Sequence, residues 1–359
     1  MRGFLCFAML LPLFLFGTAA QAQEILEPAQ LQEGLSEESL AISGKPSLDG
    51  SYDADSALGR LLQKIRQRSG ERLKEELGYG LKLVALSLLC SSANALSPDK
   101  KIPVYMNLVG CCTAAMLVAG NVDSVIRQST AAIMQLSDYS KAALPAIFTA
   151  AAAGGAVGAS AAKYAAASFS MDVLIHLAIN LVVPLIYLYI AVAIARSLFD
   201  NSLLGAAASF LRFCATTLMT VSCMAFTAYL SLSGLIAGST DAIAVKTART
   251  VIANGLPVVG KLMSDASSIV LAAAGLVRHS AGIYCMIAVC ALCAVPFVDL
   301  FVKMLVFKAA AAASDMLPGG KLSSLIRDLG TAFGLLLGLL GSCSIMLFIA
   351  IVSGIKVLV

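Results

Sequence analysis

The chain has 359 residues, of which 59% are hydrophobic and 13% charged, and its formal net charge is +4. A soluble protein has about a quarter of its residues charged, so this composition excludes an ordinary soluble domain and favours an integral membrane protein. The Lys and Arg residues form no block with interleaved aromatic residues, and we therefore expect no nucleic-acid partner.

The first residues have the order of a secretory leader. Arg2 precedes an apolar run from Phe4 to Phe16, and small residues end the segment at Ala20-Gln21-Ala22. This order predicts a cleavable signal peptide at 1–22. An uncleaved anchor helix is the alternative, although the apolar run is short for a membrane span. Both interpretations place residues 23–80 outside the cytoplasm, and cleavage makes the N-terminus of the mature chain extracytoplasmic.

Two polar segments follow the leader. Residues 23–55 are acidic and turn-prone, which predicts a flexible extracytoplasmic segment without a packed core. Residues 56–80 have leucines at helical spacing with basic residues between them, and Gly78 and Gly80 at the end. We predict an amphipathic helix over 56–80 that either lies on anionic lipid headgroups or packs on its own protein.

The remaining chain, 81–359, is predicted to be a multi-span membrane domain of about six or seven helices. A helix needs about 20 apolar residues to cross a bilayer. One candidate, Leu81–Leu96, is short. The other candidates are Ile102–Ala119, Ala142–Ala162, Val173–Ala195, Phe213–Ala237, Ala281–Phe307 and Leu329–Val352. The predicted fold class is therefore all-α: a polytopic helical membrane protein with a cleavable signal peptide.

Lys and Arg residues should be concentrated in the cytoplasmic loops. With seven spans and the N-terminus outside, they divide evenly between the two sides. The span count or one boundary therefore needs correction.

Amphipathic helices are predicted between the spans. One has an apolar stripe, with Asp123, Arg127, Gln128 and Asp138 off it. The stripe consists of Val122, Val125, Ile126, Ser129, Ile133 and Leu136.

A second amphipathic helix is predicted from Thr240 to Asn254. Each of the two helices leads to a Leu-Pro step, at Pro145 and Pro257. Paired, proline-broken hydrophobic segments are a device of transporters. This pattern therefore supports a permease as an alternative function.

Small residues predict close contacts between helices. Gly330, Gly334 and Gly338 recur every four residues and so fall on nearly one helix face. In lipid such a face lets two helix backbones approach each other. We predict that these glycines contact another helix of the protein or of a partner subunit.

A near-match to the nucleotide-binding P-loop occurs at Gly255–Leu262. Leu262 lacks the hydroxyl that would bind Mg²⁺, and Pro257 removes a backbone N–H from the phosphate cradle. We therefore expect a turn between helices, with no nucleotide, cofactor or metal bound by the chain.

Polar residues inside the apolar segments are candidate functional residues, because they are expensive in lipid. Asp299 and Lys303 have the spacing that lets them neutralise each other on one helix, which favours a structural pair over an ion relay. His176 and Asn180, one turn apart, are expected to bond to other helices. No catalytic set is present, so we predict that the protein is not an enzyme.

Three segments resemble a known family. They are Gln135–Pro145, Thr240–Ala266 and Pro296–Asp299, the second containing Thr240-Asp-Ala-Ile-Ala-Val-Lys246 and Asn254-Gly-Leu-Pro257-Val-Val-Gly260. They are similar to the stage III sporulation protein AE family, over about residues 85–355.

The resemblance implies a multi-pass protein of the mother-cell membrane around the forespore. It implies partners in a channel or secretion-like complex required for endospore development and late forespore gene expression, with a separate ATPase subunit. Self-association is a further expectation. Residues 240–266, with Pro257 and Gly260, would be a structural or gating element, as would Pro145, Asp299 and Lys303. The alternatives are a stand-alone secondary transporter and a non-conducting membrane scaffold.

Overall fold

The computed structural model describes residues 30–45, 52–95, 102–153, 157–199, 202–255, 259–317 and 321–355, with backbone alone over 234–255 and 259–278. These residues form helices and short turns, without a strand in the described ranges. After a turn at Gln30–Gln32, the helices are α1 Glu37–Ser43, α2 Ala54–Ala95, α3 Ile102–Ala153, α4 Val157–Leu177, α5 Val183–Leu198, α6 Ser202–Gly255, α7 Val259–Asp315 and α8 Lys321–Ile355. A π-helical segment, Ala178–Val182, joins α4 to α5. The all-α membrane fold is thus confirmed. The predicted leader lies outside the described residues.

Among the described residues, five helical segments are long and apolar enough to cross a membrane. They are Tyr105–Ala152, Val157–Leu198, Ser202–Ser233, His279–Asp315 and Lys321–Ile355. The described residues thus hold five such segments, whereas six or seven spans are predicted over the whole chain. Two predicted spans, Ile102–Ala119 and the first part of Ala142–Ala162, lie on the single helix α3, because the amphipathic segment between them is helical as well.

Pro145 does not end α3, although it removes one backbone donor. The helix continues to Ala153, and Thr149 Oγ1 donates to the Pro145 carbonyl at 2.8 Å. The predicted proline break is therefore absent at this position. Pro257 lies in 256–258, outside the described residues, and Gly260 is in the first turn of α7.

The predicted amphipathic helix at 56–80 is longer than the sequence suggested. It continues through Gly78 and Gly80 and includes the doubtful span Leu81–Leu96 as far as Ala95. A side chain at Gly80 would bring its Cβ to 2.7 Å from Val306 Cγ1 of α7, whereas nothing lies within 4 Å of the corresponding position at Gly78. Gly80 thus allows close packing of α2 on α7 rather than ending the helix.

Part of the segment predicted as flexible is packed. Ser36 caps α1 by accepting a hydrogen bond from the Ser39 N–H, and Leu31 and Ile42 are buried. The Tyr52 hydroxyl donates to the Ser43 carbonyl at 2.6 Å. Residues 30–45 therefore have a packed structure, because a few apolar side chains in this acidic segment find a surface on the bundle.

That surface is formed by α3 and α7. Gly34 has φ +81°, and a Cβ at this position would lie 3.0 Å from the backbone nitrogen of Tyr139 in α3, so a larger residue would be both strained and crowded. Tyr284 of α7 lies edge-on to Tyr52, with ring centroids 5.4 Å apart.

The centre of the fold is the pair of helices α7 and α8. Phe307 and Phe333, both buried, pack edge to face with centroids 4.9 Å apart. α3 packs on this pair through its predicted apolar stripe, whose six members are all buried. This part of the amphipathic prediction is confirmed.

Candidate functional site

A cluster of buried charges lies where α2, α3 and α7 meet. The Arg72 guanidinium of α2 donates from Nε to Asp299 Oδ1 of α7 at 3.0 Å. The Lys303 ammonium of α7 forms an ion pair with Glu76 of α2. Two ion pairs, each between a positive and a negative side chain, therefore join α2 to α7.

The helix repeat explains this arrangement. Arg72 and Glu76 are four residues apart on α2, and Asp299 and Lys303 are four residues apart on α7, so each pair occupies one face. The two helices run in the same direction and in register, because 72 meets 299 and 76 meets 303. On α2 the positive residue comes before the negative one, whereas on α7 the negative residue comes first. Opposite charges therefore face each other at both positions.

The predicted pairing of Asp299 with Lys303 along one helix is not what the structure has. Each of the two residues has its ion partner on α2 instead. The cross-helix arrangement gives each charge a partner from outside its own helix and lets the four groups occupy one buried interface. Whether these residues have a structural or gating role stays a prediction.

Two amides of α3 complete the cluster. Gln128 Nε2 donates to Asp299 Oδ2 at 3.1 Å, and Asn121 Oδ1 accepts from Lys303 Nζ at 2.9 Å. Arg68 adds a weaker contact, with Nε 3.5 Å from Asp299 Oδ1. Asp299 is therefore held by both neighbouring helices, and so is Lys303.

Burial makes these pairs sensitive to disruption. The side chains of Asp299 and Glu76 are each 4% exposed, and that of Lys303 is 9% exposed. Removing one partner of a buried pair leaves an uncompensated charge and typically costs about 3–5 kcal/mol. Burial opposes the charge on Arg72, yet the attraction of Asp299, together with the hydrogen bond to Glu75, raises the pKa of this guanidinium.

A polar cavity of about 490 Å³ adjoins the cluster. Its lining includes the four paired charges together with Glu75, Tyr79, Asn121, Ser124, Val125 and Gln128. Glu76 Oε2 is buried without a hydrogen-bond partner beside this cavity. The cavity is large enough for several water molecules, which could hydrogen-bond to its polar walls.

The charged side chains of the cluster pair with one another. Its carboxylates are occupied by Arg and Lys, and the described residues contain no group of His, Cys, Asp and Glu suited to a metal ion. This geometry can hold α2 against the bundle and keep a polar space open between α2, α3 and α7.

Of the three predicted packing glycines, Gly330 and Gly334 lie against another helix, whereas Gly338 is exposed. A Cβ at Gly330 would lie 3.3 Å from Phe307 Cβ, and one at Gly334 would lie 3.3 Å from Met304 Sδ, both of α7. At Gly338 the nearest atom is Met219 Sδ of α6, at 3.9 Å. Gly330 and Gly334 are thus at a close contact with α7, whereas Gly338 has ordinary space.

The pair His176 and Asn180 differs from expectation. Asn180 Nδ2 lies 3.0 Å from His176 Nδ1 and donates to the His176 carbonyl at 3.1 Å, so these bonds are within one helix. Both side chains are exposed and lie at the π-helical segment. Among the described residues they therefore make no hydrogen bond that joins two helices.

Sequence reasoning missed the α2 and α3 members of the cluster. Arg68, Arg72 and Glu76 precede the apolar segments, and Asn121 and Gln128 occur in the amphipathic part of α3. One signal was available, since Arg72 and Glu76 repeat the spacing of Asp299 and Lys303 with the signs exchanged.

Comparisons with known proteins agree with this architecture. A family model described as Stage III sporulation protein AE matches residues 50–357. The stage III sporulation protein AE of Bacillus subtilis strain 168 is 25% identical over 248 residues, which are 69% of this chain and 61% of that relative. No solved structure matches the chain. Because the family model covers most of its length, this protein belongs to the stage III sporulation protein AE family.

Proposed function

We propose that this protein is a membrane-embedded subunit of a conduit or secretion-like complex that joins the mother cell to the forespore. In this role it supports endospore development and late forespore gene expression. The observation that carries the proposal is the polar cavity beside the cross-paired charges, within a bundle that has five candidate membrane spans. Buried ionisable groups in membrane proteins are costly and mark functional interiors more often than inert ones.

The proposed role is not enzymatic. The buried carboxylates of the cluster are engaged by Arg72 and Lys303, which leaves no free acid and base pair in it. Energy for any transport would come from a separate ATPase subunit of the complex. The protein would be located in the mother-cell membrane around the forespore, with its N-terminus extracytoplasmic.

A clean deletion in the sporulating host tests the proposal. A membrane dye would follow engulfment and a fluorescent reporter would follow late forespore transcription. We expect engulfment to finish and the reporter to stay dark, and we expect the wild-type gene to restore it. Normal spores from the deletion strain would contradict the proposed role.

Two variants of α7 relate the sporulation test to the charge cluster. Lys303→Gln removes a buried cation of the cluster, whereas Lys308→Gln changes an exposed lysine of the same helix. We expect Lys303→Gln to fail to restore the reporter and Lys308→Gln to restore it. Protein levels, measured by immunoblot in the same cells, separate loss of protein from loss of function.

The cavity also favours a second candidate function. A space of about 490 Å³ is within the size range of small-molecule sites, so a stand-alone transporter would have room for a solute. Such a transporter would work without the other proteins of the complex. Co-purification of this chain with an ATPase and other membrane proteins from sporulating cells favours the complex, and isolation of the chain alone favours the transporter.

Residues 240–266 are proposed as a structural or gating element of the complex. Polar substitutions at Pro257 and Gly260 should lower spore yield more than similar substitutions at Ser47 or Gly50. Equal tolerance at the two places would contradict this assignment.

A further inference from the structure

One side of the bundle has polar residues facing outward. On α3 the outward side chains include Asp123, Arg127, Gln135 and Asp138, and on the helix formed by α4 and α5 they include Asp172, His176, Asn180 and Tyr187. We call these eight residues the polar face. The two helices are joined within it, because the Tyr187 hydroxyl donates to Asp123 Oδ1 at 3.0 Å.

The polar face lies at the level of the most apolar segments of the protein. Two hydrogen bonds, from Lys303 Nζ to Asn121 Oδ1 and from Gln128 Nε2 to Asp299 Oδ2, align this part of α3 with the apolar run 281–307 of α7. Tyr187 itself lies within the apolar run 173–195. These runs are the parts of the chain that fit the bilayer core.

The opposite side of the bundle is apolar at this level. On α7, beside Asp299 and Lys303, Phe297 is 39% exposed and Phe301 is 45% exposed. On α6, Phe213 is 64% exposed and Met224 is 66% exposed. Such side chains suit contact with lipid tails, whereas charged and amide side chains do not. Exposed apolar side chains also lie among the polar ones on the first side, since Met134 of α3 is 50% exposed and Val173 and Leu188 of α4 and α5 are 49% and 54% exposed. The polar face therefore differs from the opposite side in having charged and amide side chains at this depth, and not in lacking apolar ones.

The polar face is better suited to contact with water than to contact with another protein helix. Arg127 is 78% exposed, and within the described part of the chain its ion partner is Asp123 alone, although a guanidinium has five donors. Charged residues are depleted in the cores of protein interfaces, because their desolvation is costly. The polar cavity opens on this side too, since the exposed Glu75, Ser124 and Gln128 belong to its lining.

We infer that the polar face lines a water-filled path through the membrane, formed when copies of this chain or other subunits surround it. The path takes hydrated polar solutes, because side chains of both charge signs and neutral amides line it. This inference rests on the proposed conduit function and assigns the side of the chain that faces the conduit.

Cysteine accessibility tests the inference in membrane vesicles from the sporulating host. The starting protein has its native cysteines replaced and is checked for spore formation. Single Ala131→Cys and Gln135→Cys variants probe exposed positions of α3 along the polar face, and Phe301→Cys and Met224→Cys are matched positions on the apolar side. Each variant is treated with a charged, membrane-impermeant thiosulfonate reagent.

We expect at least a tenfold faster reaction at positions 131 and 135 than at 301 and 224. Equally fast reaction at all four positions would place this level outside the bilayer and overturn the inference. Slow reaction at all four would mean that the face is covered by lipid or protein, which also overturns it. The deletion phenotype is measured separately, so a hydrated face in a protein that is dispensable for sporulation would count against the proposed function alone.

Discussion

The charge cluster and the polar face lie at the same depth of the bundle, but they satisfy their polar groups in different ways. In the cluster, Asp299 is 4% exposed and is bound by side chains from two other helices. On the polar face, the side chains of Asp123 and Arg127 are 47% and 78% exposed and pair along one helix. The comparison teaches that α3 uses polar residues for two purposes, to hold helices together and to face water.

The largest effect is expected from removing the shared anion of the cluster. Asp299→Asn removes the buried counter-charge shared by Arg68 and Arg72 and leaves only the exposed Glu75 beside Arg72, so we expect a loss of about 3–5 kcal/mol in the free energy of unfolding. The measurement is thermal or denaturant unfolding of the purified protein in detergent.

The control for that variant is Asp123→Asn on the polar face. Its carboxylate pairs with an exposed arginine, and exposed pairs contribute little to stability. We expect unfolding indistinguishable from that of the wild type. Equal losses in the two variants would remove the distinction between the buried and the exposed region.

The next effect concerns the coupling of Glu76 with Lys303. Lys303→Met alone leaves a buried carboxylate unpaired, whereas Lys303→Met with Glu76→Gln removes both charges. We expect the double variant to be more stable than Lys303→Met by about 1–3 kcal/mol, as is typical of coupled contacts. If the two changes are additive, the pair does not act as a unit.

A smaller effect is expected where α2 approaches α7. Gly80→Ala brings a methyl group against the stiff side chain of Val306, and overpacking of this kind costs about 1–3 kcal/mol. Gly78→Ala, on open helix surface, should be neutral or stabilising. Recovery of Gly80→Ala stability by Val306→Ala would confirm the contact, and no recovery would contradict it.

The smallest effect concerns the first turn of α2. The Asp53 carboxylate accepts a hydrogen bond from the Ser56 N–H at 3.1 Å, and this bond holds the pKa of Asp53 below its ordinary value of 3.8. A lowered pKa in the folded state stabilises the helix end above pH 3.8 and ceases to do so as the pH falls through the folded pKa. Amide hydrogen exchange in the first turn of α2 should therefore quicken at low pH in the wild type, relative to the following turns. Asp53→Asn should remove that pH dependence.

Local patterns were sufficient for the helical class and for the buried stripe of α3. Val122, Ile126 and Ile133 recur at the helical period, and such a period shows which face is buried. The length of the helices was not predictable in the same way. Pro145 and Gly80 are helix-breaking residue types, yet tertiary packing keeps both inside helices.

The candidate site was predictable only in part. Asp299 and Lys303 were identified because charge inside an apolar run is conspicuous, but their partners come from α2 and α3, more than 170 residues earlier in the chain. A helical period relates residues within one element and contains no information about which element packs beside it. The partner of Asp299 was therefore wrongly expected on its own helix.

Two ion pairs between the helices hold α2 to α7, and an exchange of charges tests this arrangement most directly. One variant combines Arg72→Glu with Glu76→Arg, a second combines Asp299→Lys with Lys303→Asp, and a third contains all four changes. Each two-residue exchange keeps the charges on its helix but sets like charges opposite each other, so we predict loss of folded protein and of spores. The fourfold exchange restores opposite charges across the interface, and we predict that it recovers much of both. A fourfold variant no better than either exchange alone would contradict the account.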